Sequence, residues 1–256
     1  LVDCPLAHKA NYYSINFQAF EEELKNGVEA VVICNPHNPI GRVWTDGEME
    51  HIVDLCVEYG VYLLSDEIHA DFGMTRPYTT AGRFEKIHDR LVVYTAISKT
   101  FNMAGLGSSC MMIPNPELKQ KISDSYDACW MFGPCDLAFT AMEAAYTHGD
   151  AWVDQQLAYL EGNVETVNTF VAEHMPGVQV TKHEGTFLMW LDMTCFGKSS
   201  RELTSILAKE YGLALGDGSH YGTQAEGFMR LNIGCTRDTL IKGLEQMAVM
   251  YDKYVK

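Results

Sequence analysis

The chain has 256 residues, 47% of them hydrophobic and 21% charged, the balance of a globular protein able to bury one large core or two smaller ones. A formal net charge of -15 repels phosphate backbones and anionic lipid, which argues against nucleic acid and membrane surfaces as partners. The eight cysteines, at 4, 34, 56, 110, 129, 135, 195 and 235, make no CxxC pair and lie mostly in apolar stretches, so free thiols in a reducing cytoplasm are expected. No run approaches the roughly 20 apolar residues of a membrane span, and LVDCPLAHKANYY has neither the basic nor the apolar region of a signal peptide.

The first residue is Leu1 and no strand-turn-helix unit precedes the first motif, which reads as a piece of a longer chain. A polar opening leads to a helix near Phe17 to Lys25, then to the β-branched run VEAVVIC, a strand that ends in the loop NPHNPIG. Thr45 with Glu48 three residues on is a capping box, and Met49, Ile52, Val53, Cys56 and Val57 give the following helix one apolar face until Gly60. VYLLS and LVVYTAI are expected as two more buried strands and SSCMMIP as another, with helices over 134–148 and about 151–173. On the last of these helices Trp152, Leu157, Leu160, Val164 and Val167 share a side.

GVQVT, GTFLMWLDM, a helix from Ser199 to Tyr211, GLALG, GFMRLNIG and a final helix from Thr236 complete a compact α+β region. The expected fold is therefore α/β, a mostly parallel sheet followed by a smaller α+β domain, with residues 1–155 in the first and 156–256 in the second. In such sheets ligands gather at the carboxyl ends of strands.

Three residues stand at or just after such ends. Asn38 lies in NPHNPIGRVW, Asp66 in SDEIHAD, and Lys99 in TAISKTFNMAGL directly behind an apolar strand. A lysine able to form an imine, an acid to sit beneath a pyridinium nitrogen and an amide to hold a phenolic oxygen are the groups that pyridoxal phosphate chemistry requires. Bland readings compete with this. Lys99 could be a solvated surface lysine, and NPHNPIG only a double turn. Asp66, Glu67 and His69 could bind a metal, although no third ligand is evident. The D-E-x-H of a helicase is rejected, because no GxxxxGK[ST] loop is present. Arg230 in FMRLNIG is equally readable as a surface arginine on an edge strand.

Taken together, NPHNPIGRVW, SDEIHAD, SKTFNMAGL, GTFLMWLDM and GFMRLNIG resemble the fold-type I pyridoxal phosphate enzymes of the class I/II aminotransferase superfamily. Within it they resemble the MalY/PatB-like cystathionine β-lyases, chiefly through SDEIH, where ordinary aminotransferases usually have tyrosine in place of His69. The resemblance implies that Lys99 carries the cofactor as an imine and then takes the substrate Cα proton. Asp66 would hold the ring nitrogen, Asn38 and His69 the ring oxygen, Ser98 the phosphate, and Arg230 the substrate carboxylate. It implies a carbon–sulfur β-lyase acting on a sulfur amino acid as a homodimer. An aminotransferase, or a non-catalytic fragment with a binding or regulatory role, remain the alternatives.

Two departures qualify the match. Many relatives carry an arginine for the cofactor phosphate where this chain has Gly107, and the family's N-terminal phosphate loop and ring-stacking aromatic have no counterpart in these residues.

Overall fold

A computed structural model of the chain describes residues 1–131 and 133–256. In chain order its elements are β1 (Ala7–Lys9), β2 (Tyr12–Ser14), α1 (Phe17–Lys25), β3 (Ala30–Cys34), α2 (Asp46–Glu58), β4 (Tyr62–Asp66), β5 (Leu91–Thr95), α3 (Ile97–Thr100), β6 (Cys110–Met112), α4 (Pro116–Ala128), α5 (Asp136–His148), α6 (Asp150–His174), β7 (Gln179–Val180), β8 (Leu188–Asp192), α7 (Ser200–Tyr211), β9 (Gly216–Asp217), β10 (Phe228–Asn232) and α8 (Arg237–Tyr254). They divide into two compact units. The first holds Leu1–Cys4, Ile15–His37 and Val43–Gln155; the second holds Pro5–Ser14, Asn38–Arg42 and Gln156–Lys256. Two short early segments, which the sequence would leave in the first domain, thus group with the second unit.

The first unit is built on a four-stranded sheet in the order β3-β4-β5-β6. β3, β4 and β5 are mutually parallel and β6 returns antiparallel. The capping box of Thr45 and Glu48 starts α2, whose Met49, Ile52, Val53 and Cys56 are buried, as are Leu63 of β4 and Leu91, Val92 and Val93 of β5. Val57, expected on that face, is 42% exposed; the buried stripe takes Leu55 instead. A smaller cluster joins Leu24 of α1 to Leu55 and Val61. β3 is not a fully buried strand, because Val32 at its centre is 72% exposed. The sequence missed α4, an amphipathic helix with no buried residue, although Asn115 caps it and Pro116 occupies its first turn.

The second unit contains an antiparallel sheet in the order β7-β8-β10-β9 and the hairpin β1-β2. β8 is buried from Leu188 to Leu191, and α8 buries Leu240, Leu244, Met247 and Met250 at helical spacing. Within α6, Leu160 and Val167 are buried as expected while Trp152 is 53% exposed. The side chain of Asn163, also buried, donates to the carbonyl oxygens of Ile233 (2.8 Å) and Cys235 (3.1 Å), tying α6 to the turn before α8. Among the described residues no helix is long and apolar enough to cross a membrane. All eight cysteines are free, with Cys129 and Cys135 exposed rather than packed as small hydrophobes.

Leu63 and Val32 differ in burial, from 0% to 72%, and so in what they contribute. Leu63→Ala should lower unfolding stability by about 2–5 kcal/mol, whereas Val32→Lys should change it by less than about 0.5 kcal/mol in urea titrations of the same chain.

Candidate active site

Strand register places Asp66 and Lys99 within the first unit. Cys34 stands opposite Asp66 across β3 and β4, and Asp66 opposite Tyr94 across β4 and β5. The pairing continues past the strands, with Asn35 N–H donating to Asp66 O at 3.0 Å and Glu67 N–H to Tyr94 O at 2.9 Å. Asp66 therefore leaves β4 at the carboxyl edge of the sheet, and Lys99 follows β5 from that same edge. Asp66 is half-buried, and its Oδ1 accepts from the Ile68 N–H at 3.2 Å.

Glu67 is engaged otherwise. It is buried and accepts from Ser65 Oγ (2.7 Å), the Ala81 N–H (2.9 Å) and the Tyr78 hydroxyl. Burial, followed by the charge of Glu67, pushes the Tyr78 hydroxyl well above its ordinary range, so it stays a donor. This accounts for Glu67 as a structural carboxylate. Among the described residues no three metal-binding side chains cluster, so the reading of Asp66, Glu67 and His69 as a metal site has no geometric support. His69 is buried, with its ring 6.0 Å from that of Phe72.

Lys99 lies in the single turn α3, between the buried Ile97 and Thr100, and both it and Ser98 are half-buried. The turn is held from two sides. Thr100 Oγ1 donates to Asp71 Oδ2 at 2.7 Å, which fixes it to the segment following Asp66, and Trp152 Nε1 donates to Thr100 O at 3.1 Å. Phe101 meets Tyr146 edge to face, and a Cβ added at Gly149 would come within 2.2 Å of the Phe101 ring and 2.3 Å of Ala145 O.

Asn38 and Arg230 belong to the second unit, and there they meet. Arg230 Nη1 donates to Asn38 Oδ1 at 2.9 Å, and its guanidinium lies 5.1 Å over the Tyr221 ring. β10 runs between β8 and β9, so Arg230 is not on an edge strand, and it is half-buried. A Cβ at Gly216 would lie 3.2 Å from Arg230 Cβ, so this glycine leaves room for the arginine.

Sequence reasoning passed over a network next to Asn38. Arg42 and Glu184 are both wholly buried and joined, Nε to Oε2, at 2.7 Å. His183 beside them is held neutral by burial, its pKa pushed down to about 4 from 6.5. The one available signal was a charged residue set within GRVW, ahead of the buried Val43 and Trp44.

Fold and site together define an α/β protein with an acid and a lysine on the carboxyl edge of a mixed sheet. More particularly, the chain belongs to the family described as aminotransferase class I and II, which it matches over residues 2–247. It is 37% identical over 246 residues to cystathionine beta-lyase PatB of Bacillus subtilis (strain 168), a match covering 95% of this chain and 64% of that protein. Protein MalY of Escherichia coli (strain K12) is 32% identical over 223 residues, 84% of this chain and 55% of that one. Among solved structures, cystalysin from Treponema denticola, which contains a pyridoxal 5'-phosphate cofactor, matches with a TM-score of 0.93 at 30% identity, over 100% of this chain and 65% of that chain. The chain spans less than two thirds of the length of these relatives.

Two outcomes follow from the packing. Gly149→Ala must displace Phe101 from its place after the Lys99 turn; thermal melting should show destabilisation, and the amine of Lys99 should react with a carbonyl reagent at a changed rate. For His183 the sign is set by its lowered folded pKa. The unfolded chain binds the extra proton first, so this contribution to stability is complete above about 6.5 and is lost as pH falls towards about 4. The gap corresponds to at most about 3 kcal/mol, and urea midpoints of His183→Asn should show a correspondingly shallower acid slope than the parent.

Proposed function

We propose that the protein of which this chain forms part is a pyridoxal phosphate-dependent carbon–sulfur β-lyase, cleaving a sulfur amino acid to thiol, pyruvate and ammonia. The observation that carries this is the register that sets Asp66 level with Tyr94, so that an acid and Lys99 leave adjacent parallel strands at one edge. The choice of lyase is supported by the name of the PatB relative, at 37% identity.

The side chains suit the cofactor chemically. An amine, a carboxylate and an amide are present, and Ser108, in the turn after Lys99, has a buried hydroxyl with no hydrogen-bond partner among the described residues. With Gly107 where many relatives carry an arginine, Ser108 and Ser98 are the hydroxyls we assign to the phosphate. When bound, pyridoxal phosphate draws electrons from the Cα of the amino acid it holds. Lys99 binds the cofactor and carries the Cα proton. Asp66 would supply a fixed negative charge that keeps the ring nitrogen protonated. Asn38 and His69 hold the ring oxygen, and Arg230 orients the substrate through its carboxylate, for which a guanidinium fork is the fitting donor.

Three further readings go with this one. The enzyme works as a homodimer, its partners are small-molecule amino acids, and it resides in the cytoplasm, where eight free thiols persist.

Incubation with cystathionine, measuring pyruvate and thiol against amino transfer to a 2-oxo acid, tests the reaction. Pyruvate and thiol in equal amounts are expected; amino transfer without thiol release would make the protein an aminotransferase instead. Asp66→Ala should lower turnover by about three orders of magnitude while cofactor attachment persists, and near-parent turnover would remove the role given to Asp66.

A further inference from the structure

The loop that carries Asn38 is anchored by its other end. Five residues, Asn38–Arg42, belong to the second unit, and Asn38 itself presents its amide oxygen to Arg230. At the far end, Gly41 O accepts from the N–H groups of Glu184 (2.8 Å) and Gly185 (3.0 Å). Gly41 has φ +68, and a Cβ there would come within 2.4 Å of His183 Nδ1, so backbone conformation and close approach both require glycine. Arg42 is gripped on three sides. Its Nε donates to Glu184 Oε2, its Nη1 donates to Tyr13 O, and its guanidinium lies 4.4 Å over the Tyr12 ring. Between the anchored end and Asn38 only Pro39 and the buried Ile40 intervene.

A fully buried ion pair is weak evidence for stability, since hydrophobic residues of the same volume often serve as well. What it does supply is a fixed direction. The bond that Arg230 Nη1 donates to Asn38 Oδ1 can form only if the loop holds its place against the sheet strand that bears Arg230. We propose that Arg42, locked by Glu184, is a positioning residue for substrate recognition: it holds Asn38, and through Asn38 it aims the Arg230 guanidinium at the substrate carboxylate. This rests on the role given to Arg230 above. A merely structural staple would lower stability without moving Arg230.

The test reads Arg230 with and without cofactor. In the cofactor-free protein, the Nε–Hε nuclear magnetic resonance signal of Arg230 is assigned with Arg230→Lys and compared in Arg42→Lys and Glu184→Gln, each also made in an Asn38→Ala background. The signal should shift in both variants, and the shift should vanish once Asn38 is gone, because the coupling passes through it. In the holoenzyme, the dissociation constant of L-alanine, followed by cofactor absorbance, should rise about tenfold in Arg42→Lys with kcat for cystathionine within about threefold. An unmoved Arg230 signal in a variant whose melting temperature has fallen would overturn the proposal and leave the pair a staple. Should Arg42→Lys not fold, Glu184→Gln, which keeps shape and a hydrogen bond, gives the same readings. If L-alanine binds Arg230→Lys as tightly as the parent, the carboxylate role of Arg230 fails, and the cofactor-free signals still decide whether Arg42 positions it.

Discussion

The parallel pairing of β3, β4 and β5 is the constraint on which the rest depends. Parallel strands need crossovers, and each crossover returns the chain to begin again at the same edge, so that loops leaving the opposite edge are brought side by side. The register fixes Asp66 between Cys34 and Tyr94, and the backbone bonds from Asn35 and Glu67 carry it one residue further. A slip of one residue along β4 would turn the side chain of Asp66 to the other face of the sheet. The buried Leu63 and Ser65, together with Ser65 bonding Glu67, make that slip costly.

The Lys99 turn and Arg230 are held by contacts that reach far along the chain. The Lys99 turn is fixed by Asp71 from one side and Trp152 from the other, separations of 29 and 52 residues measured from Thr100. Arg230 is held by Asn38 across 192 residues. Two different physical devices are at work. In the first unit a neutral hydroxyl and an indole fix the lysine turn, whose Lys99 is half-buried. In the second, a buried ion pair fixes the loop and leaves an amide to hold the arginine.

Much of this is legible in the sequence, and the exceptions have physical causes. The capping box of Thr45 and Glu48, the β-branched strands and the final helix from Thr236 depend on local pattern, and pattern finds them. The hairpin β1-β2 has three-residue strands and turns through Ala10 at φ +54 instead of a glycine, so it carried no turn signal. α4 buries nothing, and its cap and proline at Asn115 and Pro116 were the only marks of its start. Lys99, Asp66, Asn38 and Arg230 are singled out by residue type and motif, but the bonds that brace their surroundings are not, since Thr100 with Asp71 and Arg42 with Glu184 join residues that periodicity cannot relate. Glu67 is the instructive case: beside Asp66 and His69 it suggested a metal, and only its three donors reveal a carboxylate already satisfied.

The central claim is that Lys99 is the residue to which the cofactor is bound. Adding pyridoxal phosphate to the folded protein, reducing with borohydride and locating the added mass by peptide mass spectrometry tests it directly. A pyridoxyl group on the peptide containing Lys99, and its loss in Lys99→Ala, is the predicted result; a stoichiometric label on any other lysine, or none on a protein that circular dichroism shows to be folded, would contradict it.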